Sequence, residues 1–101
     1  MKLAAMPVTV KVGPHIYRVT RKSGIDYNGL CEFNTLTITI HKGLRRSKAK
    51  EILLHEVLHA CTHPGLNGAK KYQDEDFVDG MAPTLLQVMQ DNPELLRYLT
   101  T

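Results

Sequence analysis

The feature that most constrains this 101-residue chain is the run His55-Glu56-Val57-Leu58-His59, an HExxH pattern inside the apolar segment 52–61. Residues four apart lie on the same face of a helix, so the two imidazoles can converge on one cation. Imidazole pairs of this kind suit zinc. Glu56 directly follows the first histidine and points beside the cation, where a carboxylate can take a proton from water. The pattern predicts a zinc site with Glu56 as general base.

The alternative interpretation is a buried helix whose histidines are satisfied by ordinary hydrogen bonds. Two imidazoles and a carboxylate on such a helix cost free energy unless they have a partner, which favours the metal site. We expect the opposite side of the helix to pack into the core. Its residues are Leu53, Leu54, Val57, Ala60 and Cys61.

Length and composition predict one small domain spanning residues 1–101. There is no signal-peptide pattern and no apolar run long enough to cross a membrane, so we expect a cytoplasmic protein without membrane contact. Cys31 and Cys61 are the only two cysteines and have no CxxC spacing. Both are predicted to be reduced core residues.

Five basic residues lie close together, in a chain whose net charge is +3: Lys42, Arg45, Arg46, Lys48 and Lys50. Such a cluster can contact phosphates. No aromatic side chains are interleaved for base stacking, however, and a solvated loop before a helix is the commoner explanation. A nucleic-acid partner is therefore not expected.

Four short segments have strand character: residues 8–12, 15–20, 30–33 and 36–40. Gly13-Pro14 separates the first two, which predicts a hairpin with Val8, Val10 and Val12 on one face. The last segment predicts Leu36, Ile38 and Ile40 facing inward, with three threonines outward. Together the segments predict a small, largely antiparallel sheet of three or four strands.

The second half of the chain predicts helices, and hence an α+β fold. Ser47 is a good N-cap for a first helix over residues 48–62, which His63-Pro64-Gly65 would end. Asp91 or Asn92 caps a short C-terminal helix that has Pro93 in its first turn. Between them, a second main helix starts near residue 74.

Pro83 lies inside this second main helix and predicts a kink or a restart there. The helix should pack through one apolar face. The predicted residues of that face are Val78, Met81, Ala82, Leu85 and Met89.

Catalytic zinc usually has three protein ligands, so the histidine pair needs a partner from elsewhere. His63 lies two turns beyond His55, too far along an ideal helix for all three histidines to reach one ion. A downstream carboxylate is the better candidate, and four begin the second main helix: Asp74, Glu75, Asp76 and Asp79. Asp76 falls opposite the apolar face, which leaves Asp74 or Glu75 as the leading pair. Asp79 is a candidate acceptor for a histidine N–H.

The turn Tyr27-Asn28-Gly29, the strand at 36–40 and the segment 53–59 resemble the small phage-encoded metallopeptidases of the HExxH type. The similarity continues at residues 75–78 and 91–95. These proteins look like reduced relatives of the immunity-repressor-cleaving metallopeptidases, whose later helix has the pattern E-x-x-A-N-x-F-A. Laid over residues 75–82, that pattern places Glu75 on the acidic ligand, while Val78 and Asp79 depart from it.

This resemblance implies a minimal zincin fold with a gluzincin-like site in which zinc is held by His55, His59 and Glu75. It also implies a phage protein acting in the host cytoplasm.

Two functions of different classes fit these features. In the first, the protein is a zinc metallopeptidase that hydrolyses a peptide or protein substrate, with the substrate paired to an exposed strand edge. Tyr27, Tyr72 and His63 are candidates to stabilise the oxyanion. In the second, it is a catalytically silent, zinc-stabilised protein that binds an acidic protein or nucleic acid. Glu56 favours the enzyme, because a structural site needs no base. The pattern specifies neither the peptide that is cut nor the oligomeric state.

Overall fold

The computed structural model of the protein describes residues 2–66 and 75–101, and it describes side chains for residues 2–62 and 80–101. In these ranges the elements are β1 (Thr9–Val12), β2 (His15–Lys22), β3 (Gly29–Glu32), β4 (Thr37–His41), α1 (Arg46–Leu66), α2 (Glu75–Asp91) and α3 (Pro93–Thr100). A four-stranded sheet is thus followed by two main helices and a short C-terminal one. The α+β class expected from the sequence is confirmed.

The strands form one sheet in the order β1-β2-β4-β3. The β1–β2 and β3–β4 pairings are antiparallel, as expected. The central β2–β4 pairing is parallel, with Val19 opposite Ile38, so the sheet is mixed. The parallel pairing arises because the chain leaves β2, runs through β3 at the far edge, and returns as β4 in the direction of β2. The two edges of the sheet are therefore β1 and β3.

The core lies between this sheet and the helices. Its buried apolar residues are Val10, Val12, Tyr17, Val19, Ile38, Ile40, Ala49, Leu53, Val57, Ala60, Cys61, Val88, Leu95 and Tyr98. On α1, four of the five residues predicted to face inward are buried. Leu54 is the exception at 39% exposed, because it lies about 100° around the helix from Leu53 and falls at the edge of the packed face.

Two strand predictions differ from the structure at their first residue. Val8 precedes β1 and is 73% exposed, whereas Val10 and Val12 are buried as predicted. Leu36 precedes β4 and has a φ of 54°, because the chain turns from β3 into β4 at that residue. Leu36 nevertheless packs against the core, and Ile38 and Ile40 are buried as predicted.

Helix α1 begins before and ends after the predicted bounds. The amide of Ala49 donates to the carbonyl of Arg45 at 2.8 Å, so the helical pattern starts at Arg46 and Ser47 lies in the first turn instead of capping it. At the other end α1 continues through Pro64 to Leu66. Proline has a φ compatible with a helix and removes one hydrogen bond, which shows why Pro64 need not end α1.

Helix α2 is continuous across Pro83, so the predicted restart does not occur. Its packed face is also rotated from the predicted one. Val88 is buried and Met81 packs against the core, but Ala82 and Met89 are exposed. The rotation follows from the end of the helix, where Asn92 is held against β1. The side chain of Val78 lies outside the described residues.

The outer edge of β1 is closed by side chains from the α2–α3 corner. The amide of Asn92 accepts from Lys11 N at 2.8 Å and donates to Lys11 O at 2.9 Å. Gln87 accepts from Gly13 N at 2.7 Å. These contacts replace the hydrogen bonds that a neighbouring strand would make, so β1 is a protected edge.

Within the described ranges, none of the helices is both long and apolar enough to span a bilayer.

Candidate metal and hydrolytic site

His55 and His59 meet on the solvent-facing side of α1. Their Nε2 atoms are 3.1 Å apart, and their rings are 74° from coplanar with centroids 4.7 Å apart. Both side chains are exposed. The four-residue spacing therefore places the two imidazoles as the sequence predicted, with the same nitrogen of each ring turned toward the other.

This geometry fits a zinc ion. Two nitrogens bound tetrahedrally at about 2.0–2.1 Å from zinc lie roughly 3.3 Å from each other. The 3.1 Å between the two Nε2 atoms is close to that spacing. Without a metal the same contact is a hydrogen bond from whichever ring carries the Nε2 proton to the other. The solvent exposure of the pair leaves room for further ligands, as a catalytic site requires.

Glu56 lies on the flank of α1 between the histidines and the core, and it is only 6% exposed. Among the residues whose side chains are described, it has neither a hydrogen-bond nor an ion-pair partner. Burying a carboxylate without a partner costs several kcal/mol when the group stays charged. The position is thus an expensive place for a glutamate unless something not made of these residues interacts with it.

The wall beside Glu56 is the backbone of β3. A Cβ built on Gly29 would lie 2.9 Å from Glu56 Oε2 and 2.5 Å from Ile52 Cγ2. Gly29 is not among the glycines with positive φ, so its requirement here is steric and not conformational. Sequence reasoning took Gly29 as part of a turn signal and missed this contact, since the pairing of β3 with α1 is not visible in local sequence.

The same strand has an unpaired edge. The amide of His41 donates to Asn28 O at 2.9 Å, which fixes the direction of the groups in the β3–β4 ladder. Because hydrogen-bonding directions alternate along a strand, the N–H and C=O groups of Gly29 and Cys31 point away from β4. Among the described elements, none pairs with this outer edge.

Cys31 on β3 and Cys61 on α1 are free thiols next to the site. Burial, followed by the negative charge of Glu56, raises the pKa of Cys31 to about 12. Burial raises the pKa of Cys61 to about 11. Both thiols are therefore protonated at neutral pH and poor metal ligands, which agrees with the prediction that they are reduced residues packed in or against the core.

The third ligand predicted from the sequence lies outside the described side chains. Glu75 is the first residue of α2, and its side chain, like those of Asp74, Asp76 and Asp79, is not described. The same holds for His63 and Tyr72, two of the candidates for oxyanion stabilisation. Over the described residues alone, no cluster of three or more His, Cys, Asp or Glu residues is present.

The basic cluster does not form one continuous surface. The guanidinium of Arg46 lies 4.9 Å from the centre of the Tyr98 ring and donates to Thr101 Oγ1 at 3.2 Å. Lys48 pairs with Glu51 at 3.4 Å. Two of the five basic side chains are thus used within the fold, which is consistent with the expectation of a solvated helix start.

Comparison of the chain with family models, with curated proteins and with solved structures found no match in any of the three.

Proposed function

We propose that the protein is a zinc-dependent peptidase in which His55 and His59 bind the metal and Glu56 is the general base. The observation that carries the proposal is the 3.1 Å separation of the two Nε2 atoms beside a buried carboxylate without a described partner. A structural metal site has no use for that carboxylate. Hydrolysis does, because the attacking water must lose a proton.

Each of these residues has a separate task in the proposed reaction. A zinc ion held at the histidine pair acts as a Lewis acid and lowers the pKa of its water to about 7. Glu56 accepts the proton of the water that attacks the peptide carbonyl, and then delivers a proton to the leaving amine as the C–N bond breaks. In the proposal Glu75 completes the ligand set. The oxyanion is stabilised by a group that the described residues do not identify.

The free edge of β3 supports a peptide substrate. A peptide in extended conformation can add to a sheet edge through its main chain, which gives affinity without requiring a deep pocket. The outward-pointing groups of Gly29 and Cys31 lie on the strand that forms the wall beside Glu56. A peptide paired there would have its main chain next to the base. The opposite edge, β1, is already occupied by Asn92 and Gln87.

The proposed setting is the cytoplasm, in agreement with two free cysteines. The resemblance to phage-encoded HExxH metallopeptidases fits this proposal, and places the reaction in the host cytoplasm.

The test is hydrolysis of a mixed peptide library by zinc-loaded protein, compared with Glu56→Gln prepared in parallel. Glutamine keeps the size of the side chain but cannot accept the proton, so zinc should stay bound while turnover falls by a factor of about 10² or more. Equal turnover by the two proteins would exclude Glu56 as base. If neither protein cuts any peptide although both bind zinc, the peptidase proposal fails and the zinc-stabilised binding protein takes its place.

A further inference from the structure

Gly29 stands out because it is the point at which β3 and α1 approach most closely beside the proposed base. A methyl group at this position would lie 2.5 Å from Ile52 Cγ2, 2.9 Å from Glu56 Oε2 and 3.1 Å from Glu56 Cγ. Non-bonded carbons are normally about 3.5–4.0 Å apart, so there is no space for a side chain. The backbone of β3 is itself the surface against which the Glu56 side chain rests.

We propose that Gly29 is a positioning residue for Glu56, and that its missing side chain sets where the carboxylate lies relative to the histidine pair. This inference rests on the proposed function. Glu56 has no hydrogen bond or ion pair from the described side chains to hold it in place. Its position is therefore set by packing, and β3 at Gly29 supplies one wall of that packing.

The two neighbours of Gly29 would respond differently to an added methyl. Ile52 Cγ2 is attached to a β-branched carbon on a helix, where one χ1 rotamer dominates, so it cannot move without disturbing α1. Glu56 Oε2 is the end of a flexible side chain and can swing away at little cost. A methyl at residue 29 therefore strains the fold through Ile52 and displaces the base through Glu56.

This difference allows the two effects to be separated experimentally. Ile52→Ala removes the Cγ2 atom, so the double variant Gly29→Ala/Ile52→Ala has room for the methyl except at Glu56. Ile52→Ala alone is the matched control for the loss of the isoleucine. Alanine at residue 29 also keeps the backbone N–H and C=O at the free edge, so substrate pairing with β3 is preserved.

The experiment compares these two proteins in zinc binding, thermal stability, and kcat and KM for a peptide that the wild type cuts. We expect zinc affinity and KM to agree within about threefold, whereas kcat of the double variant falls about tenfold or more, because small displacements of a catalytic group are costly. Equal kcat values in the two stably folded proteins would overturn the proposal.

A second readout does not depend on turnover. In ¹³C-labelled protein without metal, at a single pH, the carboxyl carbon of Glu56 should change its chemical shift between Ile52→Ala and the double variant. The carboxyl carbon of Glu51, an exposed residue of the same helix, should not. A shift at Glu56 with no peptide turnover in the wild type would reject the peptidase and keep the contact. No shift at Glu56 would reject the contact itself.

Discussion

The side-chain amide of Asn92 forms both main-chain hydrogen bonds of Lys11, accepting from its N–H at 2.8 Å and donating to its C=O at 2.9 Å. A third bond joins the amide to Val88 O at 2.8 Å, and Asn92 is only 7% exposed. The residue stands at the N-cap position of α3 but makes no capping hydrogen bond with its side chain. Its role is to join the α2–α3 corner to the edge of the sheet.

Asn92→Ala should therefore destabilise the fold by about 2–4 kcal/mol, since it removes three hydrogen bonds and leaves buried backbone groups unpaired. Asn92→Ser should be nearly as unstable, because serine is a good N-cap but too short to bridge to Lys11. Urea unfolding measures both, with the exposed Gln90→Ala as control. Full rescue by serine would show that the cap, not the bridge, stabilises the corner.

The histidine pair should bind about one zinc ion per chain. Zinc binding to the folded state alone should stabilise the protein by about 2.7 kcal/mol when free zinc exceeds its Kd 100-fold. His55→Ala and His59→Ala should each lose both the metal and this stabilisation. The matched control is His15→Ala, an exposed histidine on β2. Metal analysis after dialysis, together with thermal unfolding, checks the prediction, and retention of zinc by both single variants would refute the site.

The identity of the third ligand is tested by zinc titration of Glu75→Ala, Asp74→Ala and Asp79→Ala in one buffer. We expect Glu75→Ala to weaken binding by at least about tenfold, or about 1.4 kcal/mol, and more than either aspartate variant. Asp79→Ala should have a smaller effect if its carboxylate only orients a histidine ring. Wild-type affinity in Glu75→Ala, with loss of zinc in Asp74→Ala or Asp79→Ala, would reassign the ligand.

The two thiols should react slowly with iodoacetamide in the metal-free, folded protein. With pKa values of about 12 for Cys31 and about 11 for Cys61, their thiolate fractions at pH 8 are roughly 10⁻⁴ and 10⁻³. Alkylation followed by mass spectrometry, with Cys31→Ser and Cys61→Ser to assign the two rates, measures this. A folded-state rate equal to that of free cysteine would contradict it.

The same pKa shifts predict how stability depends on pH. Both folded-state pKa values are raised above the unfolded value, which is about 8.5 for cysteine. The contribution of the protonated thiols is therefore fully present below about pH 8.5 and is lost as pH rises through the folded values of about 11 and 12. Urea midpoints between pH 8 and 11 should decline less steeply in Cys61→Ser than in the wild type.

The local patterns of the sequence were sufficient for the features that repeat along one element. Spacing of four places His55 and His59 together because a helix has 3.6 residues per turn, whatever surrounds it. Alternation in β1 and β4 predicted the burial of Val10, Val12, Ile38 and Ile40 for the same reason. The α+β class follows from the order of these elements, and Pro93 correctly marked the start of α3.

Only the tertiary structure decided the relations between elements. The parallel β2–β4 pairing, the closed edge at β1 and the contact of Gly29 with Glu56 each join segments far apart in sequence. Local propensity contains no information about such distant neighbours. The rotation of α2 that exposes Met89 has the same origin, because the position of that helix is fixed by Asn92 bonding to Lys11. The sequence determined by itself which side chains share a helix or strand face, because that depends on backbone geometry alone. Packing between elements determined which of those faces is covered and what lies beside Glu56.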